Sequence, residues 1–94
     1  MTYVLVRFTV ADLAKWKPVF EEAASLRKSF GSKGVRAFSK SDNSNEVVIL
    51  GEYESREQAQ QLFQSQEFRD ATRRAGVTSP PDVTFLDAVV ELAA

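Results

Sequence analysis

The chain holds few side chains able to do chemistry. It contains neither histidine nor cysteine, which removes the commonest general base near neutral pH, the commonest metal ligand and the thiolate nucleophile. What remains is a short inventory. Tyr53 carries a phenol with an unperturbed pKa near ~10, better suited to orienting a carbonyl or acting as a weak acid than to acting as a base. Arg27 could hold a carboxylate or an enolate through charge-assisted hydrogen bonds, and Thr72 could add a hydroxyl. Trp16, Phe20, Phe63 and Phe68 offer walls for a planar hydrophobic ligand. Arg7, Glu52 and Asp87 form a charged trio, and paired carboxylates can do acid–base work. Each group also has a plain structural reading. Aromatic residues at helical spacing fill cores, an arginine stem covers apolar surface while its head stays wet, a helix-face threonine needs no role, and an arginine between two acids keeps both ionised as an ion network. No residue can be assigned as catalytic on this inventory.

Composition narrows the classes further. Ninety-four residues make a single domain, 1–94. A chain of this size buries only somewhat more than about 60% of its unfolded surface, so its own core is thin. Twelve Lys+Arg against thirteen Asp+Glu leave a net charge of −1, and no basic field exists to hold nucleic acid or an anionic membrane. The opening MTYVLVRFTV alternates and has Arg7 in its middle, unlike a signal peptide. No apolar run approaches the ~20 residues of a membrane span. A cytoplasmic location is the expectation.

The elements that must position the inventory follow from periodicity. Residues 3–10 alternate as a strand, with Val4, Val6, Phe8 and Val10 on one face. Asp12 suits an N-cap for a short turn over 12–16, and Pro18 places the main helix from about Lys17 onward, with the proline near its first position. Trp16, Val19, Phe20, Ala23, Arg27 and Phe30 then form one stripe, closed by Gly31 and Gly34. Val35 to Lys40 reads as a short strand and Lys40 to Asn45 as a polar hairpin loop. Glu46 to Glu54 is the strongest strand, and its consecutive Val47, Val48, Ile49 and Leu50 imply cover on both faces. Ser55 with Gln58 makes a capping box for a helix that Ser65 interrupts briefly and Gly76 terminates. Ser79-Pro80-Pro81 is an extended connector, and Val83 to Leu92 is the last strand. The order βαββαβ predicts an α+β, ferredoxin-like fold: an antiparallel sheet in the order 4-1-3-2 with both helices on one face. The other face then exposes Leu5, Val48, Leu50 and a row of the last strand. A face-to-face homodimer would cover that patch.

Three stretches, VADLAKWKPVFEE with LRK after it, SDNSNEVVILGEYES, and AGVTSPPDVTFLDAVVE, resemble the dimeric α+β barrel superfamily. That group includes antibiotic-biosynthesis-monooxygenase-like proteins, polyketide cyclases and haem-degrading monooxygenases. The resemblance implies a dimer of half-barrels with a pocket between sheet and helices in each subunit. It turns the face carrying Val47, Ile49 and Tyr53 toward the helices, and Arg7 and Glu52 away from them. Tyr53 then becomes the polar anchor of a pocket walled by Trp16, Phe20, Phe63 and Phe68, with Arg27 and Thr72 as its other polar contacts. The departures matter as well. The haem-degrading relatives carry Asn, Trp and His at positions that look like Val6, Tyr53 and Thr72 here. Many relatives carry a histidine where this chain has Ala23, and of the cyclases' His and Tyr pair only the Tyr type is present. No cofactor and no specific haem or transition-metal site is therefore expected. Two functions stand open. One is binding of an apolar, aromatic or polyketide-like small molecule, with cofactor-free monooxygenase or cyclase chemistry done largely by shape. The other is a non-catalytic dimeric stress-response or ligand-carrier protein.

Overall fold

Residues 1–94 are all described by the structure, a computed structural model. Strand β1 (Thr2–Thr9) leads to α1 (Leu13–Glu22) and α2 (Ala24–Ser29). Strands β2 (Ser32–Lys40) and β3 (Asn43–Tyr53) form a hairpin. Helices α3 (Arg56–Gln64) and α4 (Gln66–Arg74) precede β4 (Asp82–Leu86). The sheet has four strands in the order β2-β3-β1-β4, with every pair antiparallel. This is the expected 4-1-3-2 arrangement, with the helices grouped as two broken arms, α1–α2 and α3–α4.

Register decides which residues face the helices. Val4 lies between Gly51 and Phe85, and Val6 between Ile49 and Val83. That row is the core side: Val4, Val6, Phe8, Val10, Val47 and Tyr53 pack with Trp16, Ala59, Leu62 and Ala75. The alternate row carries Tyr3, Leu5, Arg7, Val48, Leu50 and Glu52, with Leu5 directly opposite Leu50.

Several boundaries differ from the sequence expectation. Helix α1 begins at Leu13, not near Lys17, and Pro18 lies inside it. The Asp12 carboxylate accepts from Ala14 N at 2.9 Å, and the Asp12 carbonyl accepts from Trp16 N at 3.0 Å. That early cap lets Trp16 enter the core on the first turn. The bond Pro18 cannot make would have gone to the carbonyl of Ala14, an exposed residue near the helix start. The β2–β3 loop is only Ser41 and Asp42, with Lys40 paired to Asn43. Strand β4 stops at Leu86, well short of Leu92: β1, its only neighbour, begins at Thr2, one residue past the Tyr3–Leu86 pair, so it could hold at most one residue more.

The charged trio is also rearranged. Arg7 pairs with Asp82, Nη2 to Oδ2 at 3.0 Å, because register sets Arg7 opposite Asp82 on one side and Val48 on the other. Asp87 lies beyond the strand, and Glu52 sits opposite Tyr3. No three-residue network forms.

The break at Ser65 is as expected, and its cause is visible. Ser65 is extended (φ −72°, ψ 150°). Its hydroxyl donates to the Leu62 carbonyl at 2.7 Å and accepts from Phe68 N at 3.1 Å. One side chain thus closes α3 and caps α4. Beyond α4, Gly76 takes a left-handed φ of 79°, the usual glycine position after a helix C-cap. The connector then returns to β1: Thr78 N donates to Thr9 O at 2.8 Å and Thr9 N to Ser79 Oγ at 2.9 Å.

Candidate functional site

Between the sheet and the two helical arms lies a funnel whose lining is almost wholly apolar. Strand β1 contributes Val4, Val6 and Phe8; α1 contributes Trp16, Val19 and Phe20; α2 contributes Leu26 and Arg27; β3 contributes Ile49 and Tyr53. Helix α3 adds Phe63, α4 adds Phe68, Ala71 and Thr72, and the closing loop adds Val77 and Pro81. The volume open to a water-sized occupant is about 70 Å³. That is well below the ~300 Å³ of an ordinary drug-sized site.

Two aromatic walls face each other. On one, Phe8 and Trp16 lie with centroids 5.8 Å apart, and Trp16 stacks on Phe20 at 4.6 Å and 20°. The Arg27 guanidinium continues that stack, with its carbon 4.1 Å from the Phe20 ring centre. On the other wall Tyr53 meets Phe63 edge-on at 6.2 Å, and Phe63 meets Phe68 edge-on at 5.3 Å. These offset and tilted contacts suit the charge distribution of aromatic rings.

Polar groups are scarce. Tyr53 is 2% exposed, and its hydroxyl has no hydrogen-bond partner in the protein. No sealed side-chain oxygen or nitrogen in the chain lacks a partner, so the hydroxyl opens onto the funnel that its ring lines. Burial pushes the phenol above its ordinary value, and the nearby Arg27 charge pulls it part of the way back. Tyr53 is thus a neutral hydrogen-bond donor at physiological pH. Arg27 donates from Nη1 to the Phe20 carbonyl at 2.9 Å. Burial draws its guanidinium below the ordinary arginine value, and Tyr53 opposes that shift. The Thr72 hydroxyl donates to the Arg69 carbonyl at 2.8 Å, which leaves it only acceptor capacity toward the funnel. No group of three or more acidic, His or Cys side chains is placed to hold a metal ion.

The architecture around this funnel has solved counterparts. The chain superposes on SnoaB, a cofactor-independent oxygenase from Streptomyces nogalater. The TM-score is 0.80 at 18% identity, over 99% of this chain and 97% of that one. The chain has the antibiotic biosynthesis monooxygenase fold. A candidate antibiotic biosynthesis monooxygenase from Bordetella bronchiseptica matches with a TM-score of 0.82 at 16% identity, over 95% of this chain and 97% of that one. One from Caulobacter crescentus CB15 matches at 0.74 and 20% identity, over 95% and 90% respectively. No protein-family model matches the chain, and no curated protein sequence does. At such identities the likeness establishes the fold and leaves the activity to be argued from the site.

All seven residues singled out from the sequence, Trp16, Phe20, Arg27, Tyr53, Phe63, Phe68 and Thr72, line this one funnel. Sequence reasoning missed Gly51. It lies on the core face in register with Val4 and Val35, and a Cβ there would come within 3.1 Å of Tyr53 Cε1 and 3.3 Å of Val35 and Val4. The absent side chain makes room for the Tyr53 ring. A glycine inside the strongest strand was the available signal.

Proposed function

We propose that the domain binds an apolar, aromatic or polyketide-like small molecule in the funnel, with Tyr53 as its polar anchor. The observation that carries this reading is the Tyr53 hydroxyl: deeply buried, unpartnered by protein, and open to an aromatic cavity. Buried phenols ordinarily have a partner, and an oxygenated ring in the funnel would supply one. In its catalytic form the reading is cofactor-free monooxygenase- or cyclase-type chemistry. With no His, no Cys and a protonated phenol, the protein would hold the substrate dry and oriented, and the substrate's own acidity would supply the reactive anion. SnoaB, a cofactor-independent oxygenase on this fold, lends support at the level of the scaffold. A second reading, a non-catalytic stress-response or ligand-carrier protein, draws its support from the narrow 70 Å³ interior, which leaves little room for chemistry on a bound substrate. In either case the working unit is taken to be a homodimer.

Trp16 is the only tryptophan and lines the funnel, so its indole N–H resonance reports on the site. Titration with 2-naphthol should move that resonance saturably. Tyr53→Phe should weaken binding by about fivefold, the equivalent of one net hydrogen bond of ~1 kcal/mol. An unmoved Trp16 resonance would remove the small-molecule reading. Oxygen uptake with a dihydroxynaphthalene above the uncatalysed rate would separate the enzyme from the carrier.

A further inference from the structure

The funnel does not end at Arg27. A second, polar depression of about 490 Å³, open to solvent, adjoins it, lined by Arg27, Lys28, Gly31, Lys33, Gly34 and Glu54 among others, with Arg27 and Val35 common to both. Arg27 therefore stands at the junction of a narrow apolar throat and a wide polar vestibule. It has no acidic partner. The chain's ion pairs are Arg7 with Asp82, Lys33 with Glu54 and Lys40 with Glu46. In the vestibule Glu54 is therefore engaged by Lys33 at 3.0 Å, and Lys28 adds an unpaired, exposed positive charge. One Arg27 nitrogen donates to the Phe20 carbonyl and the guanidinium carbon sits over the Phe20 ring, 4.1 Å from its centre. Its orientation is thus fixed while its remaining N–H donors stay free. A half-buried, dehydrated cation held rigidly without a counter-ion is costly, and an arriving anion would relieve it.

We infer that the ligand is an amphipathic acid, with the edge of its apolar ring system in the throat and a carboxylate on Arg27 at the vestibule. This rests on the small-molecule reading above and adds the substrate class. The carboxylate follows from the planar fork of the guanidinium, which matches two oxygens of one group. Placement of the charge outside the throat agrees with the throat's size, since 70 Å³ admits the edge of a ring system and no hydrated ion. Lys28 and the Lys33–Glu54 pair sit where solvent screens them, so they steer the acid inward and contribute little to holding it.

The test uses two probes of one shape, naphthalene-2-carboxylate and naphthalene-2-carboxamide, titrated against the full chain and read at the Trp16 indole resonance. The carboxylate should bind on the order of tenfold more tightly than the amide, as expected of a charge-assisted bond over a neutral one. Arg27→Gln should abolish that preference with little change in amide binding, and Arg27→Lys should retain part of it. Equal affinities in the unmodified protein, or a preference that survives Arg27→Gln, would overturn the acid assignment while leaving the small-molecule reading intact. Failure of both probes to move Trp16 would overturn the two together.

Discussion

Tyr53 and Arg27 face the same funnel, and each alters the other's protonation. Burial raises the phenol and Arg27 opposes it; burial lowers the guanidinium and Tyr53 opposes it. Desolvation is the larger cause for both. The sign for stability follows. A phenol whose folded pKa exceeds its unfolded value of about 10 contributes nothing unfavourable below pH ~10, and its preference for the neutral form destabilises the fold as pH rises from there through the folded value. In a Tyr3→Phe background, where Tyr53 is the one remaining tyrosine, alkaline spectrophotometric titration should give a midpoint above about 10, with unfolding midpoints falling over the same range. A midpoint at or below that of free tyrosine would show the phenol to be solvated. Gly51 belongs to the same scale. An alanine there gains up to ~1 kcal/mol by restricting the unfolded chain. Its Cβ also presses on Tyr53, Val35 and Val4 at 3.1 to 3.3 Å, and overpacking of that kind costs ~1–3 kcal/mol. Gly51→Ala should therefore lower stability by about 1 kcal/mol in chemical denaturation, with a shifted Tyr53 ring resonance. Tyr53 was legible because strand parity groups it with Val47 and Ile49 and the family resemblance turns that face toward the helices. Gly51 was not, because its role is to be empty, and only the register of three strands shows what it must avoid.

Among the elements, local caps were readable and competition between signals was not. Ser65 was expected to interrupt a helix, and it does so by bonding both the Leu62 carbonyl and Phe68 N. Helix α1 exposed the harder case. Pro18 argued for a late start, with Asp12 capping only a short turn over 12–16. The early start prevails because it places Trp16, 5% exposed, against Phe8 and Phe20, and burying an aromatic of that size is worth about as much as the proline's ~3 kcal/mol helix penalty. β4 was overextended because Val89, Val90 and Leu92 continue its apolar character, while strand length is fixed by the neighbour, and β1 begins only at Thr2. Ser65 gives a clean test at this scale. Ser65→Ala removes the cap of α4 and the lock on the end of α3, so a loss of about 1–2 kcal/mol is expected in urea unfolding. Because that turn sets Phe63 edge-on to Phe68 at 5.3 Å, the Trp16 response to 2-naphthol should weaken as well. Unchanged stability would show that packing alone fixes the angle between the two helices.

At the scale of the whole molecule, a single chain does not cover its own sheet. Only 11 of 94 residues are buried, and all of the sheet's share of them face the helices. The other face carries Leu5 opposite Leu50, and Val48 between Arg7 and Phe38. Phe38 is 47% exposed and Leu86 38%. Four consecutive apolar residues in β3 called for cover on both sides, and the helices supply it on one. A second copy would supply it on the other in the simplest way, since an isologous contact pairs the patch with itself. The exposed Arg7–Asp82 pair, on the same row, would then set register more than strength. The protein should accordingly run as a homodimer at micromolar concentration by light scattering or native mass measurement, with an interface well above ~1,000 Å² in total. Leu50→Glu places a carboxylate opposite Leu5 at the centre of that face, and should yield monomer or unfolded chain, because a buried unpaired charge costs several kcal/mol. The converse substitution of an exposed helix charge, Glu21→Gln, should leave the dimer intact. A stable, folded monomer of the unmodified chain would refute the assembly. It would also mean that the patch formed by Leu5, Val48 and Leu50 is tolerated in water or reserved for a different protein.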